Sequence, residues 1–443
     1  MKKSVKRLLA GSAAAAAAAV VWKNRESPKL EPVFDQAKKC LYRANSLVMD
    51  TAIKLIPGLF PLPRTEIGCG SRKLLPQVLK ELGISHVMVV TGPSIGKRLV
   101  PPIVEDLENQ GIACTVFSET EANPSVTTVE SIRSLYLDAG CDGFLAIGGG
   151  SPMDAAKVAA ARIAKPHTPI GKMAGTLRVL AKLPPVVCVP TTAGTGSEVS
   201  VGAVISDRDA QHKYAITDPC LTPKAAVIDP ELTVSVPPFV TATTGIDALT
   251  HAVESYLTWA YRSEFTDRCC EEAVVSIFHY LDRAYENGGD LEAREQMSIA
   301  ACKAGLAFTR TGLGYVHAIA HTLGGLYNVP HGLANAVILP IVLEDYGEAV
   351  HPRLARLAEI TGIQTEGTEA EKAGAFIAAI RAMNSRMGLP AGFDFIRRED
   401  FDRICKWALA EANMTYPVPV IYNKARCEQV LERILREATP EQQ

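Results

Sequence analysis

Several features that define large protein classes are missing from this chain. There is no surplus of positive charge: 46 Lys and Arg against 48 Asp and Glu give a formal net charge of −2. Duplex binding leans on Lys and Arg neutralising phosphates, so a nucleic-acid partner has no electrostatic basis here. Paired-cysteine spacing is also missing. Eleven cysteines are scattered without a CxxC, and an odd number cannot all pair within one chain. That argues against a disulfide framework or zinc knuckle and fits a reducing compartment. Cys269 and Cys270 are adjacent, but neighbours on a helix face different ways, so they read as packing or surface positions rather than a redox pair. No internal repeat is evident. What remains is an ordinary composition, 47% hydrophobic and 21% charged over 443 residues, long enough for two or three domains with real cores.

The first residues stand apart. Lys2, Lys3, Lys6 and Arg7 precede an alanine-dominated run from 8 to 22, and Lys23 and Arg25 follow it. The run is shorter than the roughly 20 strongly apolar residues of a spanning helix. A loose surface helix, weak membrane attachment through residues 1–25 and a processed leader are its three readings. The reducing compartment that the cysteines suggest weighs against export and for the cytoplasm. Phe34, Ala37, Leu41, Ala44, Val48, Ala52 and Leu55 then recur at helical steps, until Pro57, Gly58, Pro61 and Pro63 break the pattern.

Past that point, short β-branched runs at 86–91, 113–118, 143–148 and 184–190 alternate with helical stretches, the pattern of a parallel sheet covered by helices. Runs at 201–207, 212–217 and 225–229 follow, the first two forming a hairpin. Beyond Pro237 strand signals are scarce and helical spacing persists. The expected organisation is an extension over 1–61, an α/β domain with a parallel sheet over 62–236 and an all-helical domain over 237–443.

Gly148, Gly149, Gly150 and Ser151 sit where a strand ends and a helix begins, with Pro152 suited to the first turn. Glycines let backbone approach a phosphate, and the free amides of a helix start favour an anion. A second cluster, Pro190, Thr191, Thr192, Ala193, Gly194, Thr195, Gly196, Ser197 and Glu198, follows another buried strand. Hydroxyls and glycines at the carboxyl edge of a parallel sheet are set to bond a nucleotide.

Histidine is scarce, nine in all, which makes its clustering informative. Asp247 and His251 are one helical turn apart, and His317, His321 and His331 fall in one short region. Three imidazoles and one carboxylate suit a divalent transition ion, iron or zinc, with a position open for a substrate oxygen. Glu254 faces the same side as Asp247 and His251 and reads as a supporting group rather than a ligand.

The segments GGGSPMDAAK, PTTAGTGSE, GIDALTHAVE and GLGYVHAIAHTLGGLYNVPHGLANA stand in one order. Together they closely resemble the iron-containing, or group III, alcohol dehydrogenases, a family that includes lactaldehyde reductases, propanediol dehydrogenases and butanol dehydrogenases. The resemblance runs from about Pro63 towards the C-terminus. It implies a Rossmann-like domain and an all-helical domain with the active site between them. It implies Asp247, His251, His317 and His331 as metal ligands, usually for Fe2+. Gly149, Gly150 and Ser151 would hold the pyrophosphate, Asp154 would lie near the cofactor, Thr191, Thr192 and Thr195 would meet the nicotinamide half, and Lys213 would contact the cofactor. His321 is implied as a proton relay. The reaction would move hydride between NAD(P)(H) and a small alcohol or aldehyde, in a homo-oligomer.

Two departures stand out. NAD-preferring members tend to end the first strand in an Asp, whereas Gly92 follows Val90 and Thr91 here. With Ser94, Lys97 and Arg98 close by, this favours NADP(H) over NAD(H). The N-terminal extension has no counterpart role in the family pattern. Rival readings are a zinc-dependent glycerol dehydrogenase or dehydroquinate synthase-like enzyme of the same architecture, and a membrane-tethered scaffold that kept an enzyme fold.

Overall fold

The computed structural model describes residues 31–55, 60–208 and 212–438. The alanine run and the cations around it lie outside the described residues.

In the first half, helix α1 (Glu31–Leu55) leads to strand β1 (Arg64–Ile67), helix α2 (Leu75–Glu81), β2 (His86–Thr91), α3 (Pro93–Arg98), α4 (Val100–Asn109) and β3 (Ala113–Phe117). Next come α5 (Val126–Ala139), β4 (Gly143–Gly148), α6 (Gly150–Ala164), α7 (Ile170–Met173) and β5 (Gly175–Thr176). Strands β6 (Val186–Pro190), β7 (Gly202–Asp207), β8 (His212–Thr217) and β9 (Ala225–Ile228) complete the half. Six strands pair in the order β1-β9-β6-β4-β2-β3, all parallel. The expected hairpin forms as antiparallel β7 and β8, with β5 on its edge.

The sheet is covered on both faces, which explains why its central strands read as nearly unbroken apolar runs. The period of two divides them cleanly. Met88, Val90, Phe144, Ala146 and Cys188 pack with α5 and α6, whereas Val87, Val89, Leu145, Ile147, Val187 and Val189 pack with α2 and α4.

The second half has no strand among the described residues. It consists of α8 (Pro238–Leu257), α9 (Glu264–Glu286), α10 (Leu291–Thr311), α11 (Tyr315–Tyr327), α12 (His331–Tyr346), α13 (His351–Ile360), α14 (Glu369–Arg386), α15 (Phe401–Thr415) and α16 (Lys424–Ala438). Helix α8 is buried almost all round. Its ionisable side chains Asp247, His251 and Glu254 are therefore informative, because an interior position costs free energy unless each finds a partner.

The halves meet through glycine. A Cβ on Gly194 would lie 2.7 Å from the Thr244 carbonyl oxygen, and one on Gly196 would lie 2.7 Å from the Gly305 Cα. These close approaches bring the loop after β6 against α8 and α10.

Helix α1 forms where its periodicity predicts, but its apolar stripe does not face inward: Leu41 is 63% exposed and Val48 67%. Hydrogen bonding explains the orientation. The Arg43 guanidinium donates to the Val418 and Pro419 carbonyls, and Asp50 accepts the Tyr261 N–H, so the side that carries Arg43, Met49, Asp50 and Ile53 is turned to the protein. Cys269 and Cys270 are both buried, as packing positions should be, and every cysteine of the described residues is a free thiol.

Candidate metal centre and nucleotide cleft

Asp247 and His251 stand one turn apart on α8, His317 lies near the start of α11, and His331 is the first residue of α12. Three helices thus converge on one point. One ligand atom from each of the four residues lies within 4.8 Å of the others. His317 Nε2 is 3.8 Å and His331 Nε2 3.6 Å from Asp247 Oδ1.

The surroundings fit a cation on three counts. Burial holds the His251, His317 and His331 imidazoles below their ordinary range, which keeps them neutral with lone pairs available. Asn335 Nδ2 lies 2.7 Å from Asp247 Oδ1, 3.1 Å from His317 Nε2 and 3.3 Å from His331 Nε2. A primary amide has two hydrogens, so three acceptors leave one unsatisfied. His251 Nδ1 is also buried without a partner.

Glu254, one turn further along α8, fixes the outer face of this centre. Its Oε2 is 2.5 Å from His317 Nδ1, and Oε1 accepts the Val316 N–H at 2.8 Å. With Nδ1–H directed at a carboxylate, Nε2 of His317 is the nitrogen that faces Asp247. Burial pushes the Glu254 carboxyl up to about 8, against the pull of the backbone N–H groups. Gly314 makes the contact possible, since a Cβ there would fall 2.6 Å from Glu254 Oε1.

His321 is not part of the four-atom cluster. Its Nδ1 lies 2.8 Å from Glu411 Oε1, which also accepts the Tyr416 hydroxyl at 2.8 Å. Its ring stacks on His331 with centroids 5.1 Å apart.

The strand register aligns the phosphate-binding candidates. Thr91 pairs with Ile147, and Gly148 with Pro190, so Gly92, Gly149 and Thr191 stand side by side at the carboxyl edge of the sheet. The Thr191 N–H donates to the Gly148 carbonyl, tying two of the loops together. A Cβ on Gly150 would lie 2.9 Å from Thr195 Cγ2, so only glycine allows the helix start this close to the second loop.

A continuous cavity of about 520 Å³ runs from this edge to the histidines. Gly150, Ser151, Asp154, Thr195 and Lys213 line it, together with Asp247, His251, His317, His321 and His331. Gly92, Gly149, Thr191 and Thr192 do not line it but flank it along the sheet edge; a Cβ on Gly92 would meet the Thr120 carbonyl at 3.1 Å. Asp154 reaches the cavity while tying down its wall, accepting the Ser197 hydroxyl at 2.6 Å and the Val204 N–H at 2.8 Å. Lys213 donates to Asn123 Oδ1 at 2.6 Å, and burial lowers its ammonium to about 8.

Sequence reasoning missed Asn335, Glu411 and Lys157. Asn335 follows His331 by one helical turn, a signal that was there to be read. Lys157, fully buried, donates to Ser197 Oγ and to the Ser200 and Gly202 carbonyls, holding the second loop. Glu411 is separated from His321 by 90 residues, and no local pattern announces it.

A parallel sheet with glycine-rich turns at its carboxyl edge, a helical half and four side chains able to hold one metal ion, in a cavity lined from both halves, are the architecture of a metal-dependent dehydrogenase. The chain belongs to the iron-containing alcohol dehydrogenase family: the model of that family matches residues 63–230, and that of its C-terminal part matches 241–435. It is 35% identical to the NAD-dependent methanol dehydrogenase of Bacillus methanolicus over 79% of this chain and 92% of the relative. It is 32% identical to the lactaldehyde reductase of Escherichia coli K12 over 77% and 90%. A solved 1,3-propanediol oxidoreductase superposes with a TM-score of 0.81 at 32% identity, covering 85% of this chain and 99% of that one. The protein is thus a metal-dependent oxidoreductase that transfers hydride between a nicotinamide cofactor and a small alcohol or aldehyde. Among the described residues, no helix is long and apolar enough to cross a membrane.

Proposed function

We propose that Asp247, His251, His317 and His331 together hold one Fe2+ ion, with Zn2+ as the alternative, and that NADP(H) binds along the edge formed by Gly92, Gly149, Gly150 and Ser151. The observation that carries this reading is the convergence of the four ligand atoms in the cavity that also contains Gly150 and Ser151.

The ion supplies Lewis acidity, which favours negative charge on the substrate oxygen. The chain's own groups do the rest. Glu254 keeps His317 in the tautomer whose Nε2 faces Asp247. Gly149, Gly150 and Ser151 offer the helix start of α6 to the pyrophosphate. Thr191, Thr192 and Thr195 bear on the nicotinamide half, and Asp154 and Lys213 border it. His321 moves the proton: with Nδ1–H given to Glu411, its Nε2 is free to accept or deliver one.

The NADP(H) preference rests on the absence of a carboxylate at Gly92 and on Ser94, Lys97 and Arg98, all on α3 and the last two exposed cations. The B. methanolicus relative is named as NAD-dependent, which favours the other cofactor. We assign the enzyme to the cytoplasm, as free thiols and nicotinamide supply favour. Homo-oligomer formation and weak membrane attachment through residues 1–25 belong to the same proposal; sedimentation and fractionation of the full chain test them.

The deciding experiment is oxidation of NADPH and NADH by protein loaded anaerobically with ferrous iron, against short aldehydes, beside a metal-free control. Metal-dependent consumption with NADPH preferred is the expected result. A higher kcat/KM with NADH would overturn the cofactor choice, and equal rates without metal would overturn the role of the four ligands.

A further inference from the structure

Helix α1 lies outside the stretch that matches the family, which begins at residue 63. The 1,3-propanediol oxidoreductase structure is covered over 99% of its length while 85% of this chain is used. The helix is nonetheless seated at the active-site cavity. Asn45, Met49 and Ile53, spaced by four and so on one face of α1, line the same cavity as His251, His317 and His321.

The seating is specific. Arg43 donates to the Val418 and Pro419 carbonyls at 3.1 and 2.8 Å and lies 4.8 Å above the Trp259 ring. Asn45 Nδ2 donates to the Met414 carbonyl at 3.2 Å. Asp50, buried, accepts the Tyr261 N–H at 2.8 Å, and Tyr261 has a φ of +68°, a conformation a tyrosine adopts only when its surroundings hold it there. The Arg310 guanidinium donates to the Phe60 carbonyl, fastening the chain just after α1 to α10. Met49, Ile53 and Phe60 thereby share a wall of the cavity with Leu313, Met414 and Tyr416. Asn45, Arg310 and Tyr416 also line the cavity, but their polar groups are engaged by the Met414 carbonyl, the Phe60 carbonyl and Glu411, beside the hydrocarbon of Met49, Ile53, Phe60, Leu313 and Met414.

We propose that α1 is a specificity element: Met49, Ile53 and Phe60 complete the substrate end of the cavity and select alcohols and aldehydes that carry a straight apolar chain beyond the reacting carbon. A chain of this kind gains free energy with each methylene it removes from water against these side chains, whereas a two- or three-carbon substrate has few methylenes to bury. The inference rests on the oxidoreductase reading of the site.

The test is the ratio of kcat/KM for octanal to that for propanal, measured on the full-length, metal-loaded enzyme and on Met49→Ala and Ile53→Ala variants. Leu47→Ala, at an exposed position of the same helix, is the control for a general loosening of α1. In the starting protein the ratio should exceed one. The cavity-facing variants should each lower it about tenfold, the worth of about two buried methylenes, and Leu47→Ala should leave it within twofold. A ratio below one in the starting protein, or an equal fall in all three variants, would overturn the proposal. Absence of metal-dependent turnover with propanal as well as octanal would instead overturn the oxidoreductase reading itself.

Discussion

Gly332 is packed so tightly on α8 that a Cβ at this position would lie 2.2 Å from the Thr243 carbonyl oxygen and 3.4 Å from Asp247 Cβ. The residue before it is His331. A single hydrogen in place of a methyl group is therefore what lets the start of α12 bring an imidazole to the carboxylate of α8. Gly332→Ala should force the two helices apart, cost about 1–3 kcal/mol of stability and weaken metal binding. Urea denaturation and metal titration check this; unchanged affinity for the ion would show that α12 can shift without disturbing the site.

Glu254→Gln keeps the shape of the side chain but turns one of its two acceptor oxygens into an NH2 donor, so it cannot accept both the Val316 N–H and the His317 Nδ1–H. Metal affinity should fall about 10–100-fold, as for other partners of ligating histidines. Competition against a chromophoric chelator measures it. An affinity equal to that of the starting protein would reduce Glu254 to a packing residue.

Asp247→Ala and His321→Ala should separate binding from proton transfer. The first should lose the ion. The second should retain it while turnover slows by about 10²–10⁴-fold, the usual worth of a positioned acid or base. Metal content by elemental analysis beside kcat decides the matter, and parallel loss of both in His321→Ala would move that residue into the ligand set.

Stripping the ion with a chelator should abolish activity, and adding Fe2+ or Zn2+ back should raise the midpoint of thermal unfolding. At a free concentration of 100 Kd, one site that exists only in the folded state contributes about 2.7 kcal/mol. A melting curve insensitive to either metal would contradict a site closed by three separate helices.

Lys213 gives a pH signature. Burial lowers its ammonium from 10.5 to about 8, so between those values the unfolded chain binds more protons than the folded one. Stability should accordingly rise with pH through that window, because the penalty of a buried ammonium is present below it and gone above. Lys213→Met removes the group. Denaturation of both proteins at the two ends of the window should show the starting protein gaining on the variant; a pH-independent difference would mean Lys213 carries no such burial penalty.

Much of this molecule was legible in one dimension. Strands at 86–91 and 143–148 coincide with β2 and β4 of the parallel sheet. Doubly covered parallel strands carry apolar residues on both faces and leave little ambiguity. The four candidate ligands were visible because histidine is scarce and pairs of them keep helical spacing. Glu411 was not, because its relation to His321 joins α15 to α11 across the helical domain. The orientation of α1 was also hidden. Its apolar stripe suggests a buried face, yet Arg43 and Asn45 donate to carbonyls outside α1 and Asp50 accepts the Tyr261 N–H, which turns the other side inward.

The sequence by itself determined the element order, the parallel sheet, the glycine-rich turns and which side chains are candidate ligands, because local periodicity and scarce residue types record these directly. Only the tertiary structure decided that three helices bring their ligand atoms within 4.8 Å. The same holds for Asn335 and Glu254 as their hydrogen-bonding partners, and for the added helix α1 as a wall of the same cavity. Those relations depend on how closely separate elements can approach, and glycines 194, 196, 305 and 332 set that distance at contacts no linear pattern displays.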